Sequence, residues 1–255
     1  MKHHFLAIAG VALLATVNSP VLAQENYVFP SHHGIEYRIA AGFNIGASAP
    51  MGIPAEIRKI TDYQPTLNLS LGASATKMLS DRWGISAGVT VENKGMQTGI
   101  ETKNYHLTMN VIAGDNTGTK TGYFTGRIKN KSKISYLTIP VTAVFRLTPQ
   151  WQFEGGAYFS YAFNRSFDGQ VSAGKLREDP LHPVIAVSQA EYDYSSDIRR
   201  IDAGLILGAQ RRIYNSLAVR ANLQWGLPST LSPSTRKIDM NTYNIYLNLA
   251  LVYGI

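Results

Sequence analysis

Residues 243–255, Tyr-Asn-Ile-Tyr-Leu-Asn-Leu-Ala-Leu-Val-Tyr-Gly-Ile, decide the fold of this chain. Every second residue of this segment is large and apolar, whereas the residues between them are mostly polar or small. Because a β-strand sends alternate side chains to opposite faces, the segment is predicted to be a strand with one fully apolar face. Tyr243 and Tyr253 bracket that face, which is typical of a strand that crosses a membrane between two aromatic belts.

The same alternation recurs along the rest of the chain. It predicts eight strands, at about residues 35–45, 63–78, 83–95, 134–147, 151–163, 198–210, 216–227 and 243–255. Tight turns and long loops alternate between them, as in outer-membrane barrels with short periplasmic turns and longer extracellular loops. The predicted fold is all-β: an eight-stranded antiparallel up-and-down transmembrane β-barrel, residues 35–255, with two long extracellular loops. The even strand number places both termini in the periplasm.

The two long loops span about residues 97–132 and 165–197. In the first, β-rich pieces at 105–112 and 123–128 flank the turn-forming sequence Gly-Asp-Asn-Thr-Gly at 114–118. We expect this loop to form a hairpin that projects beyond the membrane.

The composition agrees with a barrel wall and excludes several chemistries. Charged residues make up 16% of the chain, below the roughly 25% usual in soluble domains, while Gly (22) and Tyr (14) are plentiful. There is no cysteine, which excludes a disulfide framework, a thiolate nucleophile and a cysteine metal site. The net charge of +7 would raise the question of nucleic acid in a cytosolic protein.

The first residues are typical of a secretory signal. A basic start at residues 1–4 precedes an unbroken apolar run, and Val-Leu-Ala follows at 21–23 as a cleavage sequence. The run is too short to span a bilayer as a helix. We expect residues 1–23 to be a removed signal peptide and 24–34 a periplasmic lead-in. Export to the outer membrane of a Gram-negative bacterium argues against nucleic acid as a partner.

Five aromatic residues are predicted to form belts at the two membrane surfaces. Trp83 and Trp151 each open a strand after a tight turn and would lie at the periplasmic boundary. Trp225 would lie at the outer boundary, and Tyr243 and Tyr253 bracket the apolar face of the closing strand.

A network of charged residues is predicted to face the lumen, namely Arg38, Glu92, Arg146, Glu154, Asp202 and Arg220. An eight-stranded barrel is just wide enough for its own side chains to fill it. Arg146 and Glu154 flank a tight turn, so we expect them to lie diagonally across neighbouring strands, within reach of each other. The favoured interpretation is a plug of ion pairs that satisfies buried polar groups. An ion or proton path and a catalytic carboxylate pair stay open as alternatives.

Positive charge gathers in and beside the loop at 97–132, at Lys103, Lys120, Arg127, Lys129, Lys131 and Lys133. Lys94 belongs to this basic cluster and also to the lumen-facing charges. At the cell surface the nearest polyanion is lipopolysaccharide, whose phosphates attract lysines. Generic contact with lipid head groups and a specific ligand both suit the cluster.

The two histidines beyond the lead-in, His106 and His182, both lie in long loops. No nucleophile-elbow or metal-ligand spacing accompanies either of them. We therefore predict no catalytic residue, no cofactor and no metal site, with a lipid A-modifying enzyme as the less favoured alternative.

Three short motifs carry a resemblance to a known family. They are Asn-Lys-Gly at 93–95, Tyr-Leu-Thr-Ile-Pro at 136–140 and Glu-Gly-Gly-Ala-Tyr at 154–158. Together they resemble the small outer-membrane β-barrels of Bacteroidota, often labelled PorT-like. The resemblance implies an eight-stranded outer-membrane barrel but no single activity, since the named member is linked to protein secretion and most relatives have no assigned role. The closing strand also resembles the insertion signal read by the barrel assembly machinery.

The leading functional hypothesis is a non-enzymatic structural or accessory role, in which the barrel docks other envelope components, including those of secretion. The alternative is a narrow channel or a binder of small ligands or lipopolysaccharide. The expected partners are outer-membrane lipid, lipopolysaccharide, the barrel assembly machinery during insertion, and other envelope proteins.

Overall fold

The computed structural model describes residues 34–50, 55–113, 116–179, 181, 183–232 and 241–255. Its strands are β1 Ile35–Pro50, β2 Ile57–Pro65, β3 Leu69–Met78, β4 Trp83–Ala113, β5 Asn116–Arg146, β6 Trp151–Arg177, β7 Ile185–Asp193, β8 Ile201–Tyr214, β9 Leu217–Gly226 and β10 Thr242–Gly254. A short 3₁₀-helix, Ser195–Asp197, lies between β7 and β8. The predicted signal peptide and nearly all of the lead-in lie outside the described residues.

Antiparallel pairing closes the sheet into a ring. The successive pairs are β1–β3, β3–β4, β4–β5, β5–β6, β6–β8, β8–β9, β9–β10 and β10–β1. The closing strand β10 therefore joins the two ends of the sheet, with Leu249 opposite Phe43 of β1 and Ala221 of β9. Two further strands, β2 and β7, lie outside this ring, so the sheet formed by the described residues has ten strands, two more than the eight that the sequence predicted.

The wall of the ring is apolar outside and polar inside. In β10 the alternation is as predicted: Leu251 is 56% exposed on the outer face, whereas Tyr246 is 1% exposed on the inner face. The same outward apolar band continues around the ring through Ile39, Leu71, Val89, Ile139, Phe159, Leu205 and Leu223. Buried polar residues face the lumen, among them Asn44, Ser70, Thr76, Ser86, Thr138, Ser160, Asn222 and Asn248. This arrangement is the reverse of a water-soluble protein and suits a lipid surround.

Strands β4, β5 and β6 continue far beyond the ring. They are 31, 31 and 27 residues long, and β4 pairs with β5 up to Ala113 and Asn116, so the predicted hairpin is present. We call the parts of these strands beyond the ring, together with β2, β7 and the 3₁₀-helix, the extension. Strand β7 pairs with β6 along its length and reaches β4 at Asn110 and Val111. The four strands β4, β5, β6 and β7 thus enclose a core of their own.

The predicted second strand and second long loop were partly wrong. The segment 63–78 is divided between β2 and β3, and most of the loop at 165–197 is strand, in β6 and β7. Strand β2 is exposed on both faces along most of its length, so its sequence has no alternation of apolar and polar residues. The buried side chains of β7 face the core of the extension, and its other side chains are mostly exposed. Its sequence therefore lacks the outward apolar residues that identify the strands of the ring.

The core of the extension is apolar. It consists of Ile100, Leu107, Met109, Phe124, Ile128, Val171, Leu176, Val187, Ala190, Tyr192 and Tyr194. Two of its rings lie flat over glycines. A Cβ added to Gly174 would stand 2.2 Å from Phe124, and one added to Gly169 would stand within 1.8 Å of the Tyr192 ring. Glycine is therefore required at both positions for the rings to pack against the neighbouring backbone.

The polarity of the two faces reverses along β5 without any change of side-chain direction. Within the ring, Leu137 is exposed outside and Thr138 is buried inside. Four residues further on, Lys133 is exposed outside and Ile134 is buried inside. Because the outer face changes from apolar to charged here, this step marks the level at which β5 leaves an apolar environment.

The two ends of the barrel differ. Tight turns join β3 to β4, β5 to β6, and β8 to β9 at one end, which we call the short-turn end. The extension rises from the other end. The described chain also begins and ends at the short-turn end, where Ile35 is opposite Lys77 and Tyr253 is opposite Leu217. Among the described residues there is no helix that is long and apolar enough to cross a bilayer.

The extension should loosen at high pH because its core holds tyrosines. Burial, with smaller effects from Tyr194 and Glu56, raises the pKa of Tyr105 to about 12. The unfolded side chain ionises near pH 10, so stability is unaffected below that pH and falls as the pH rises towards 12. We expect Tyr105→Phe to move the loss of near-ultraviolet circular dichroism to higher pH. The exposed Tyr123→Phe is the control, and equal shifts in both variants would contradict the assignment.

Candidate functional site

The charges nearest the short-turn end form one cluster around Glu36. Arg146 donates to one oxygen of the Glu36 carboxylate, and Arg38 donates to the other at 2.7 Å. Arg38 also donates to the side-chain carbonyl of Gln152 at 3.2 Å. One carboxylate between two guanidinium groups leaves the cluster positive, at the entrance of the lumen on this side.

Arg146 and Glu154 lie diagonally across β5 and β6, as predicted, but the ion pair of Arg146 is with Glu36. In the register of β5 and β6, Arg146 is opposite Gln152, and Glu154 is opposite Val144, one step deeper in the lumen. The long arginine side chain reaches Glu36 on β1 instead. Glu154 lies 3.9 Å from the guanidinium of Arg220, which belongs to β9.

A small polar cavity lies in the middle of the lumen. Its volume is about 40 Å³, and Glu154, Arg220, Asn222 and Gln224 contribute to its wall. Each of these four side chains has a buried oxygen or nitrogen that makes no hydrogen bond to another protein atom. A cavity of this size and polarity is large enough for a few water molecules that would satisfy such groups.

Further towards the extension, two neighbouring lumen-facing residues of β4 form a buried ion pair. Lys94 Nζ lies 3.4 Å from Glu92 Oε1, and both side chains are 0% exposed. Thr138 donates to the same oxygen at 2.8 Å, and Asn44 donates to Glu92 Oε2 at 3.0 Å. The structure thus places Lys94 in the lumen and not in the basic cluster of the extension.

Three tyrosines surround the ammonium group of Lys94. Its Nζ lies 4.8 Å from the ring centre of Tyr158, 5.3 Å from that of Tyr136 and 5.9 Å from that of Tyr246. An ammonium group over aromatic faces is stabilised electrostatically, and more strongly when it is out of water. The sequence did not predict the contact of these rings with Lys94, because they come from strands β5, β6 and β10, which are distant in sequence.

Asp202 connects two of these tyrosines. Tyr158 donates to Asp202 Oδ2 at 3.1 Å, and Asn244 donates to the same oxygen at 2.9 Å. Asn244 also lies 3.1 Å from the hydroxyl oxygen of Tyr136. Asp202 is therefore part of the network around Lys94, as its predicted place in the lumen required.

The lumen ends in apolar contacts on the extension side. Ile134, Tyr136, Ala162 and Ile198 form a buried cluster above Lys94. Phe167 packs against this cluster and also against the core of the extension. Apolar contacts therefore run without interruption from the end of the lumen into the extension.

The basic cluster lies on the outer face of the extension. Arg127, Lys129, Lys131 and Lys133 alternate along β5 and are all exposed. Arg127 Nε lies 3.2 Å from Glu101, and Lys120 Nζ lies 2.7 Å from Glu178. Lys103 is exposed next to a bulge in β4. Within the described residues, Lys129, Lys131 and Lys133 make no ion pair.

A groove of about 770 Å³ runs across this face. It spans five neighbouring strands, from Asp62 and Gln64 on β2 to Glu191 and Asp193 on β7. Lys129 and Lys131 lie at its centre. Most residues that line the groove are polar or charged, so its chemistry favours a ligand that forms hydrogen bonds and ion pairs.

The aromatic residues predicted for the belts are all on the outer wall. Trp83, Trp151 and Tyr253 are exposed at the short-turn end, and Trp225 is exposed towards the other end. Tyr243 is partly exposed opposite Ala49 of β1. Their role as membrane belts stays a prediction.

Of the two loop histidines, the structure describes His106. His106 lies edge-on to Tyr123 with ring centres 5.3 Å apart, and His182 lies outside the described residues. In the part of the chain that the structure describes, no three His, Cys, Asp or Glu side chains are grouped to hold a metal ion.

An apolar outer wall, a closed antiparallel sheet and a polar interior define the class of membrane β-barrels. The sequence model of the outer membrane protein beta-barrel domain family matches residues 22–232, and the chain belongs to this family. Membership places the protein in the outer membrane of a Gram-negative bacterium. A comparison with curated protein sequences finds no match.

Several solved outer-membrane structures are similar over most of the chain but at low identity. Ail of Yersinia pestis, crystallised with the heparin analogue sucrose octasulfate, is 10% identical, with 87% of this chain and 99% of Ail covered and a TM-score of 0.33. The toluene transporter TbuX of Ralstonia pickettii is 9% identical, with 87% and 89% covered and a TM-score of 0.21. A bacterial polysaccharide outer membrane secretin is 11% identical, with 88% and 99% covered and a TM-score of 0.20.

Removing only one partner of the buried Lys94–Glu92 ion pair should lower the free energy of unfolding strongly. We expect Lys94→Met to destabilise the barrel by about 3–5 kcal/mol, because Glu92 is left charged and unpaired in the lumen. The double variant Lys94→Met with Glu92→Gln should recover most of that loss. Urea unfolding of the purified barrel in lipid vesicles measures both.

The exposed pair between Lys120 and Glu178 provides the control for this comparison. Lys120→Met should cost no more than about 1 kcal/mol, since exposed ion pairs contribute little. If the losses in the double variant were simply additive, the two lumen residues would not act as a pair.

Proposed function

We propose that this protein is a sealed, non-enzymatic outer-membrane barrel that docks other envelope components through its extension. The observation that carries the proposal is the filling of the lumen by side chains on both sides of its small polar cavity. The Glu36 cluster, the Lys94–Glu92 pair and the apolar cluster around Ile134 succeed one another from the short-turn end to the extension. A lumen filled in this way offers no passage to a solute.

The finer features of the proposal follow from the same arrangement. We propose that the eight strands of the ring form the membrane wall and that β2 and β7 belong to the extension. With the short-turn end in the periplasm, both termini are periplasmic and the extension is at the cell surface. Trp83 and Trp151 then lie at the periplasmic boundary. Assignment to the PorT-like barrels of Bacteroidota is part of this proposal, and so is a secretory signal at residues 1–23.

The second candidate function is a narrow channel. The polar cavity between Glu154 and Arg220 favours it, because it interrupts the packing of the lumen. The cavity is nevertheless closed towards the extension by Lys94 and its tyrosines. We therefore place the channel second.

Conductance separates the two candidates. In planar bilayers we expect the purified protein to show no stable open level, because its interior is occupied by its own side chains. The variant Tyr158→Ala with Tyr246→Ala removes two of the three tyrosine rings around Lys94 and serves as the control for detecting a small pore. A reproducible open level in the unaltered protein would rule out the sealed barrel.

Site-specific cross-linking tests which end docks a partner. A photo-reactive side chain at Thr125, exposed on the outer face of the extension, should yield protein adducts in the native membrane. The same group at Gln150, exposed in a tight turn at the short-turn end, should not. Adducts formed only from Gln150 would mean that partners dock in the periplasm and that the extension is not the docking surface.

A further inference from the structure

The outer face of β5 carries a row of cations that the protein itself leaves largely unneutralised. Alternate residues of a strand share one face and lie about 6.6 Å apart, so Lys129, Lys131 and Lys133 form a straight row. The strand neighbours of Lys129 are Gly99 and Gln170, and those of Lys133 are Gly95 and Ser166. Only Lys131 has an acidic neighbour, Asp168. Like charges in a row repel each other, and an external anion would relieve this repulsion.

The row begins just above the apolar band of the wall. Leu137 is the last apolar residue on the outer face of β5, and Lys133 follows about 13 Å along the strand and Lys129 about 26 Å. With a strand tilt of about 40°, these distances correspond to heights of roughly 10 and 20 Å. The polar region outside a bilayer core is only several ångströms thick, so the row lies beyond the lipid head groups, at the level of the saccharides that lipopolysaccharide carries above them.

The groove beside the row supplies a second kind of recognition. Side-chain amides of Gln97 and Gln170 flank the two central lysines, and Glu191 and Asp193 lie at the β7 side. Amides and carboxylates form hydrogen bonds with hydroxyl groups, whereas the carboxylates would repel a second phosphate. Asp62 lines the β2 side and Asp168 lies beside Lys131, so carboxylates surround the two central lysines. The lysines therefore suit a single phosphate, and the groups around them suit neutral sugar hydroxyls.

From this arrangement we infer that the groove binds a phosphorylated saccharide of the surrounding lipopolysaccharide. The phosphate lies at Lys129 and Lys131, and the sugar hydroxyls lie towards Glu191. The inference rests on the proposed function in so far as it needs the extension at the cell surface. It adds a ligand class and names the residues, and it does not require the lumen to be sealed.

Calorimetric titration of lipopolysaccharide into the detergent-solubilised protein tests the inference. The variant Lys129→Gln with Lys131→Gln should bind at least about ten-fold more weakly, because each charge-assisted contact with phosphate is worth on the order of a ten-fold change in affinity. Dephosphorylated lipopolysaccharide should bind the unaltered protein as weakly as the intact ligand binds the variant.

The control is Lys59→Gln with Lys103→Gln, which removes the same charge from exposed positions of the extension that do not line the groove. It should change affinity by less than about two-fold, apart from the general salt-dependent attraction. An equal loss of affinity in the control variant would mean that only the overall positive charge matters, and it would overturn the proposed site. Equal binding of the dephosphorylated ligand would overturn the role of phosphate. Neither result would bear on conductance or on cross-linking from Thr125, so the proposed function is tested separately.

Discussion

In this barrel the polar groups inside the wall depend for their hydrogen bonds on other lumen side chains and on water held in the small central cavity. Lipid on the outer face offers no hydrogen bonds, and the lumen is too narrow for bulk water. Asn44 illustrates the consequence: it donates to Glu92 and accepts from Asn248, which in turn donates to Ser70 at 2.8 Å. Four strands are thereby joined by side chains in addition to their backbone hydrogen bonds. The filled lumen follows from this constraint and needs no separate explanation.

In the extension, β5 needs the opposite distribution of polar and apolar side chains. Beyond Leu137 the outer face meets water and becomes charged, so the inner face must become apolar to remain packed. Phe124 and Ile128 now occupy the side that Thr138 and Thr142 occupy below. A single strand thus serves two environments with one side-chain direction. The inner face of β5 changes from polar to apolar within the four residues between Thr138 and Ile134.

The sequence predicted the wall of the barrel well, because an alternation of apolar and polar residues is a local property that each strand carries by itself. It predicted Glu92, Asp202 and Arg220 as lumen residues for the same reason. The pairing of those residues was less predictable. Arg146 reaches Glu36 and not Glu154, since the choice depends on the registers of β1, β5 and β6 together. The contacts of Lys94 with three tyrosines depend on how β4, β5, β6 and β10 are aligned with one another. The alternation within a single strand does not reveal these alignments.

The extension was hard to predict for a different reason. Its strands β2 and β7 do not face lipid, so neither repeats the pattern that identified the others, and β7 is recognisable only once its partners β6 and β4 are known. Continuous strands from the membrane into this core have a functional consequence. Because β4, β5 and β6 run through without a hinge, the outer face of β5 is held at a fixed height above the apolar band. A surface held in this way loses little conformational entropy when it binds, which favours recognition of groups that lie at one level of the envelope.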